Sequence, residues 1–392
     1  MCYAIPGKVL TINDKMITVE YFGEKRKAKN EFYELLPGDY VYAQGGLIVQ
    51  KIAAKEAYAI LDTWEELFFK LQEVDSSLTK DPKGLYQIAN NLRHTHHGNS
   101  CCIHAIIEFS NYCCSDCLYC GIRNKNKRVT RYRMSADEIV AAAYDAVHNL
   151  KFKALVLQSG EDPSYDIETL LKIITRIHKE SPCLIIVSLG EREFDDYQKL
   201  YEVGCRGALL RFETSNPAIY KAIRPGKVLR DRVELLKKLR EVGYLVMTGF
   251  LIGLPGQTQE DIAKDIELTG SLGADIFSFG PFIPHPETPL ADAPLPSTET
   301  VLNTIAQARI KSPKANILVN TSFETLDREN ALRLGLMAGA NSVMINVTPQ
   351  KYRRLYDIYP NRAGIDLEIS ERIDSIVKLL HSIGRAPTDL GI

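Results

Sequence analysis

Eight apolar segments of strand length, each parted from the next by a stretch of helical periodicity, constrain this chain more than any other feature. They are CIHAIIEFS (102–110), ALVLQS (154–159), LIIVSLG (184–190), GALLRFE (207–213), YLVMTGFLIG (244–253), DIFSFGPFI (275–283), NILVNTS (316–322) and SVMINV (342–347). Between them lie helical patterns such as SADEIVAAAYDAVHNL, DIETLLKIITRIHKE, DRVELLKKLREVG and STETVLNTIAQARI. Near-continuous apolar strands alternating with helices make a parallel sheet covered on its faces. Eight regular units favour an α/β fold closed as a (β/α)8 TIM-type barrel over an open doubly wound sheet. Barrels of this kind carry their chemistry at the C-terminal ends of the strands, so the last residues of each strand are the ones to watch.

The first fifty residues follow a different rhythm. GKVLTIN, MITVEYF and RKAKNEF are short strands parted by NDK and GEK, and YVYAQGGLIVQKI carries Gly45 and Gly46 as a bulge or tight bend. From Ala54 to about Asp75 the period becomes helical, with Ala57, Ile60, Leu61, Trp64, Leu67, Phe68 and Leu71 on one stripe. The expected organisation is a small all-β, OB-like barrel with a trailing helix (1–75), a polar and partly helical connector (76–99) and the large barrel (100–392). Apolar residues make up 45% of the 392 and charged residues 25%, enough for packed cores. The net charge of -1 lacks the basic surplus of nucleic-acid binders. No run of apolar residues is long enough to span a membrane, and MCYAIPGKVL is not a signal peptide. The expectation is a cytoplasmic protein with neither nucleic acid nor membrane as partner.

Cysteine usage is uneven. Of nine cysteines, Cys101, Cys102, Cys113, Cys114, Cys117 and Cys120 crowd into twenty positions, and none follows Cys205. A tight cluster in a cytosolic chain points to metal or redox chemistry rather than to a disulfide framework. Cys113, Cys117 and Cys120 stand in Cys-x3-Cys-x2-Cys spacing just beyond the first barrel strand. Three thiolates from one loop can hold three irons of a 4Fe–4S cube and leave the fourth open. Zinc would need a fourth Cys or His at regular spacing, and His104 lies too early, inside the strand.

That spacing, in that place, resembles the radical S-adenosylmethionine (SAM) superfamily. The resemblance implies that the open iron chelates SAM and that an electron from the cluster releases a 5′-deoxyadenosyl radical. LQSGEDP, SLGE, LRFET and GPFIPHPETPL further resemble the HydE family of FeFe-hydrogenase maturases, from about residue 98 to 386. Methylornithine synthase and biotin synthase share parts of the pattern. Carried over residue by residue, the resemblance places Tyr119 near the adenine and Gln158, Ser159, Gly160 and Glu161 at the methionyl amine. Arg211 and Glu213 become SAM or substrate contacts, Arg232 pairs with the SAM carboxylate, and Ser188 donates to the same ligand. Asn320, where a threonine is expected, and Thr321 face an anion pocket, while Met344 and Tyr356 line the internal cavity. His285, between prolines at the catalytic face, is open to two readings, a shaping residue or an acid, and Cys114 is a bystander. One cluster, not two, is expected.

MCYAIPGKV and PGDYVYAQGG resemble the HypC family of NiFe-hydrogenase chaperones over residues 1 to about 75. There an N-terminal cysteine holds an iron bearing cyanide and carbon monoxide, which makes Cys2 the candidate ligand. Gln44 stands in place of a histidine of that site, so iron carriage and simple docking are both open readings. Together the resemblances imply a radical SAM enzyme of hydrogenase metallocofactor assembly, acting on an iron–cysteine–carbonyl–cyanide substrate. An electron donor such as ferredoxin or flavodoxin and other maturation proteins are the implied partners. The rivals are an amino-acid mutase of the methylornithine synthase type and a non-catalytic scaffold.

Overall fold

The computed structural model describes residues 4–388. Its first unit is a closed five-stranded barrel: β1 (Gly7–Asn13), β2 (Met16–Tyr21), β3 (Glu24–Lys29), β4 (Tyr40–Gln44) and β5 (Leu47–Ile52). Neighbours are antiparallel except β3 and β5, which touch in parallel at Lys29 and Leu47. Gly45 and Gly46 form the hairpin between β4 and β5, both at positive φ (57° and 75°), as a two-residue turn matched to strand twist requires. The trailing helix α1 (Ala54–Thr79) buries Ala57, Trp64, Phe68 and Leu71 from the expected stripe, with Trp64, Phe68 and Leu71 against the small barrel's core.

The second unit closes in chain order: β6 (Cys102–Ser110), β7 (Ala154–Ser159), β8 (Leu184–Ser188), β9 (Gly207–Leu209), β10 (Leu245–Thr248), β11 (Ile276–Phe277), β12 (Asn316–Val319) and β13 (Ser342–Asn346). All eight are parallel, and β13 pairs back onto β6. Local chemistry sets the surrounding helices. Ser135, Asp166, Thr258 and Ser297 each cap a helix N-terminus with a side-chain oxygen. Helix Ile167–Glu180 buries Leu170, Ile173, Ile174 and Ile177, spaced to face the sheet.

Several strands are shorter than their apolar runs. The 207–213 segment is strand only to Leu209, and 184–190 ends at Ser188. The 244–253 and 275–283 runs each break in two, leaving a separate pair, Leu251–Ile252 with Gly280–Pro281, above the rim. Gly249 permits the break, because a Cβ there would lie 2.4 Å from the Ser278 carbonyl oxygen. In 316–322 the strand stops at Val319, Asn320 is extended at the N-cap and Thr321–Leu326 is helical. Polarity and burial hold in these stretches while the ladder does not, so apolar character alone overextends a strand.

The small barrel covers the N-terminal mouth of the large one. Tyr40, Tyr42, Leu47, Val49 and Ile52 join one apolar cluster with Ala154 and Leu184, the first residues of β7 and β8, and with Val156, Ile186 and Met344 inside the ring. Lys153 Nζ donates to Gln50 Oε1 at 2.7 Å, and the Arg206 guanidinium lies 4.5 Å from the Phe32 ring. The segment expected as a connector contains helix α2 (Leu85–His97), whose Arg93 is fully buried. Asp75 of α1 accepts from both terminal nitrogens of Arg93 at 2.7 Å, from Arg385 Nε at 3.2 Å and bonds His94 Nδ1 at 2.8 Å. One carboxylate thus ties α1, α2 and the C-terminal segment.

Burial pushes the Asp75 carboxyl up, but His94, Arg93 and Arg385 outweigh it and hold it down at about 2. The contribution is complete above the ordinary carboxylate value of 3.8 and is lost as pH falls through about 2. Asp75→Asn leaves two buried guanidiniums short of a counter-charge and is expected to cost about 3–5 kcal/mol in chemical denaturation near neutral pH.

Candidate active site

Side chains alternate along β6. Ile103, Ala105, Ile107 and Phe109 pack outward against the helices, while Ile106 and Glu108 point inward and line a cavity of about 250 Å³. The cavity opens at the C-terminal end of the ring. Cys113, Cys117, Tyr119 and Cys120 form one wall, and Gln158, Ser159, Glu161 and Ser188 continue it from β7 and β8. Arg211, Glu213, Arg232, Asn320, Thr321, Met344 and Tyr356 complete the expected set. Cys114 is exposed and does not line the cavity. Cys2 lies outside the described residues.

The cysteine loop is held from behind. Arg131 donates to the carbonyls of Asn111, Ile122, Arg123 and Asn126, cross-bracing the loop's two limbs. Cys114 N–H donates to the Glu161 carbonyl at 2.8 Å and Glu161 N–H to Cys113 Sγ at 3.4 Å, joining the loop to the end of β7. Gly160 is required there, since a Cβ would stand 2.2 Å from the Tyr112 carbonyl oxygen. His285 is buried outside the cavity, its Nδ1 accepting from Glu287 N–H and its Nε2 paired with Asp357 at 3.0 Å. Those bonds join the 285–287 turn to Asp357.

Beside the cysteines stands a charge lattice that motif reading only half found. Glu191, the last residue of SLGE, bonds Arg232 Nη1 at 2.7 Å and Lys227 Nζ at 2.7 Å. Glu161 accepts from the Ser115 hydroxyl and faces Lys227 at 3.3 Å, Arg224 at 3.5 Å and Arg232 at 3.9 Å. Burial pushes both carboxyls up, yet these partners prevail: Glu161 lies below the usual range and Glu191 at about 2. Both are therefore anions among cations, and the lattice can exchange partners with a zwitterion's ammonium and carboxylate. Arg232, in the first turn of helix Leu229–Val242, is only 6% exposed, so its pairing with Glu191 is a buried one. Glu213 adopts φ 69°, unusual for a non-glycine, and its Oε2 accepts no hydrogen bond among the described residues, with Arg211 at 3.7 Å.

Deeper in, Glu108 is fully buried and takes hydrogen bonds from Arg362 at 3.0 Å and Asn346 at 2.7 Å. Arg362 Nε and Asn320 Nδ2, both in cavity-lining residues, have no acceptor among the described residues. Arg224, Lys227, Glu191, Ser115, Glu108 and Arg362 were the residues motif reading missed. RPGK and SLGE carried the signal for the first three.

Comparison with known proteins now decides the family. Family models match residues 107–269 as the radical SAM superfamily, 1–64 as the HupF/HypC family and 278–384 as the biotin and thiamin synthesis associated domain. The [FeFe] hydrogenase maturase subunit HydE of Thermotoga maritima is 37% identical, over 84% of this chain and 94% of its own length. The chain belongs to the HydE family of radical SAM enzymes. The 3-methylornithine synthase of Methanosarcina acetivorans is 28% identical over 77% of this chain and 85% of its own. The crystal structure of methylornithine synthase (PylB) superposes with a TM-score of 0.67 at 25% identity, over 82% of this chain and 97% of that one.

A 4Fe–4S cluster and SAM are the cofactors of this HydE-family chain. The donor set fits a cluster: three thiols face one cavity, and Arg131 and Arg224 stand close enough to offset thiolate charge. No helix among the described residues is long and apolar enough to cross a membrane. Anaerobic reconstitution is expected to give about four irons with matching sulfide per chain. Cys117→Ala should abolish this and Cys114→Ala should not; about eight irons with matching sulfide would reject a single cluster.

Proposed function

We propose that this HydE-family enzyme cleaves SAM in hydrogenase metallocofactor assembly and acts on an iron–cysteine–carbonyl–cyanide substrate. The observation that carries this is a single cavity that passes from three cysteines and a charge lattice down to two unpartnered donors. When bound, the cluster supplies the electron that breaks the sulfur–carbon bond of SAM and yields the adenosyl radical. Cys113, Cys117 and Cys120 are its ligands. Arg232 would release Glu191 and take the methionyl carboxylate in its place, because a guanidinium offers parallel donors to two carboxylate oxygens. Glu161, with the β7 end at Gln158 and Ser159, takes the ammonium, and Ser188 donates from β8. Tyr119 packs edge-on to Phe282 and presents an aromatic surface to the adenine. Glu213, with Arg211 beside it, accepts the ribose hydroxyls.

Deeper in the cavity, Asn320 Nδ2 and Arg362 Nε have no acceptor among the described residues, while Met344 and Tyr356 add to the lining. Cyanide, carbonyl oxygen and carboxylate are acceptors of the kind such donors need. The HupF/HypC-like barrel sits at the far end of the ring from the cysteines, so it cannot hand a fragment to the cavity mouth directly. Its part is to dock a maturation partner or to hold iron at the base. Ferredoxin or flavodoxin, approaching the cysteine end, supplies the electron.

With the cluster reconstituted and reduced, SAM consumption should depend on the iron–cysteine–carbonyl–cyanide complex and not on lysine; the reverse dependence moves the protein to the amino-acid mutases. Cys120→Ala should remove SAM cleavage altogether. Arg232→Lys forfeits one charge-assisted hydrogen bond, worth about 1.5–3 kcal/mol, and should weaken SAM binding about 10- to 100-fold in equilibrium dialysis. Cys2→Ser tests carriage: unchanged iron-fragment binding and turnover would leave the small barrel a docking module.

A further inference from the structure

The inward face of β6 continues below the cavity. Beneath Glu108 and Ile106 come His104 and Cys102, at the same two-residue spacing and only 1% and 4% exposed. Cys102 Sγ lies 3.5 Å from His104 Nε2 and 3.8 Å from Oε1 of Gln44, the last residue of β4 in the small barrel. His104 Nδ1 is 3.2 Å from the Ser342 hydroxyl, which orients the ring and leaves Nε2 toward the sulfur. Gln44 is 2% exposed, and its Nε2 has no hydrogen-bond partner among the described residues.

We propose that Cys102, His104 and the Gln44 amide form a site for a divalent first-row metal ion at the seam between the two barrels. Geometry is the first ground. A tetrahedral ion about 2.3 Å from sulfur and about 2.1 Å from nitrogen sets those two atoms about 3.6 Å apart, and the structure has them at 3.5 Å. The amide oxygen is the second: Gln44 Oε1 already stands 3.8 Å from the sulfur, close to the separation of two ligands on one ion, and is a neutral ligand. The hydroxyl of Ser342 plays the outer role, since a ligating imidazole usually bonds through its other nitrogen to a fixed partner. A thiolate with an imidazole and one oxygen suits Fe(II), Co(II) or Zn(II) over magnesium or calcium. Binding replaces the thiol proton, which leaves to solvent, and involves no change of oxidation state.

The site is separate from the cysteine cluster, from which the layer holding Ile106 and Met344 divides it, and it stands whether or not the substrate reading above does. Cobalt makes a test that iron in the cluster does not obscure. The full chain, its cluster reconstituted, is dialysed anaerobically against Co(II), freed of loose metal and examined at the cobalt X-ray absorption edge. The expected result is about one cobalt per chain with sulfur and nitrogen neighbours. Cys102→Ser should lose the sulfur neighbour and lower the affinity at least tenfold, and His104→Gln should lower it similarly. Unchanged iron, sulfide and circular dichroism in each variant serve as the folding control. Cobalt that is not retained by the wild-type chain, that shows no sulfur neighbour, or that both variants keep undiminished would overturn the proposal and leave Cys102 and His104 as a hydrogen-bonded pair. Loss of SAM turnover with cobalt retained would instead fault the substrate reading alone.

Discussion

The two-residue period of β6 is the constraint on which the rest of the molecule depends. As the first strand of the ring it pairs with both β7 and β13, so its register sets where every other strand can close. Its odd residues hold the helices and its even residues run as a column down the inside of the barrel. A shift of one residue would exchange the two sets and put Glu108 among the helices. The column carries four chemistries in order: carboxylate, aliphatic, imidazole and thiol.

Above that column the site is a balance of charges rather than a set of isolated residues. Glu161 and Glu191 stay ionised because Arg224, Lys227 and Arg232 surround them, and the cations stay buried because the carboxylates are there. Removing one member leaves an opposite charge stranded, which explains why residues from three separate loops and one helix are held so tightly around the cysteine wall. A ligand carrying both signs can enter such a lattice by exchanging partners, without leaving any charge unpaired.

Much of this was legible in the sequence. The cysteine spacing, the alternation of strands and helices and the ends of LQSGEDP, SLGE and LRFET led to side chains that the fold brings into one cavity. Strand length was not legible, because Gly249 and the helix that starts after Asn320 end the ladder inside apolar runs. Glu191 and Arg224 were missed because motif reading fastens on one residue per block, whereas their roles come from pairing across loops distant in sequence. Glu108 and Arg362 are 254 positions apart, and only closure of the ring joins them. The seat of the small barrel was likewise invisible, since it depends on the shape of the N-terminal mouth and on the Gly45–Gly46 turn that meets it.

That turn has a bearing on traffic. A Cβ on Gly45 would press within 2.9 Å of Leu245 and 3.2 Å of Leu184, so the hairpin lies against the starts of β10 and β8 like a stopper in a neck. With the hairpin seated there, the cavity above opens past its cysteine wall, so a ligand seated near Glu108 and Arg362 would enter before one held at that wall and leave after it.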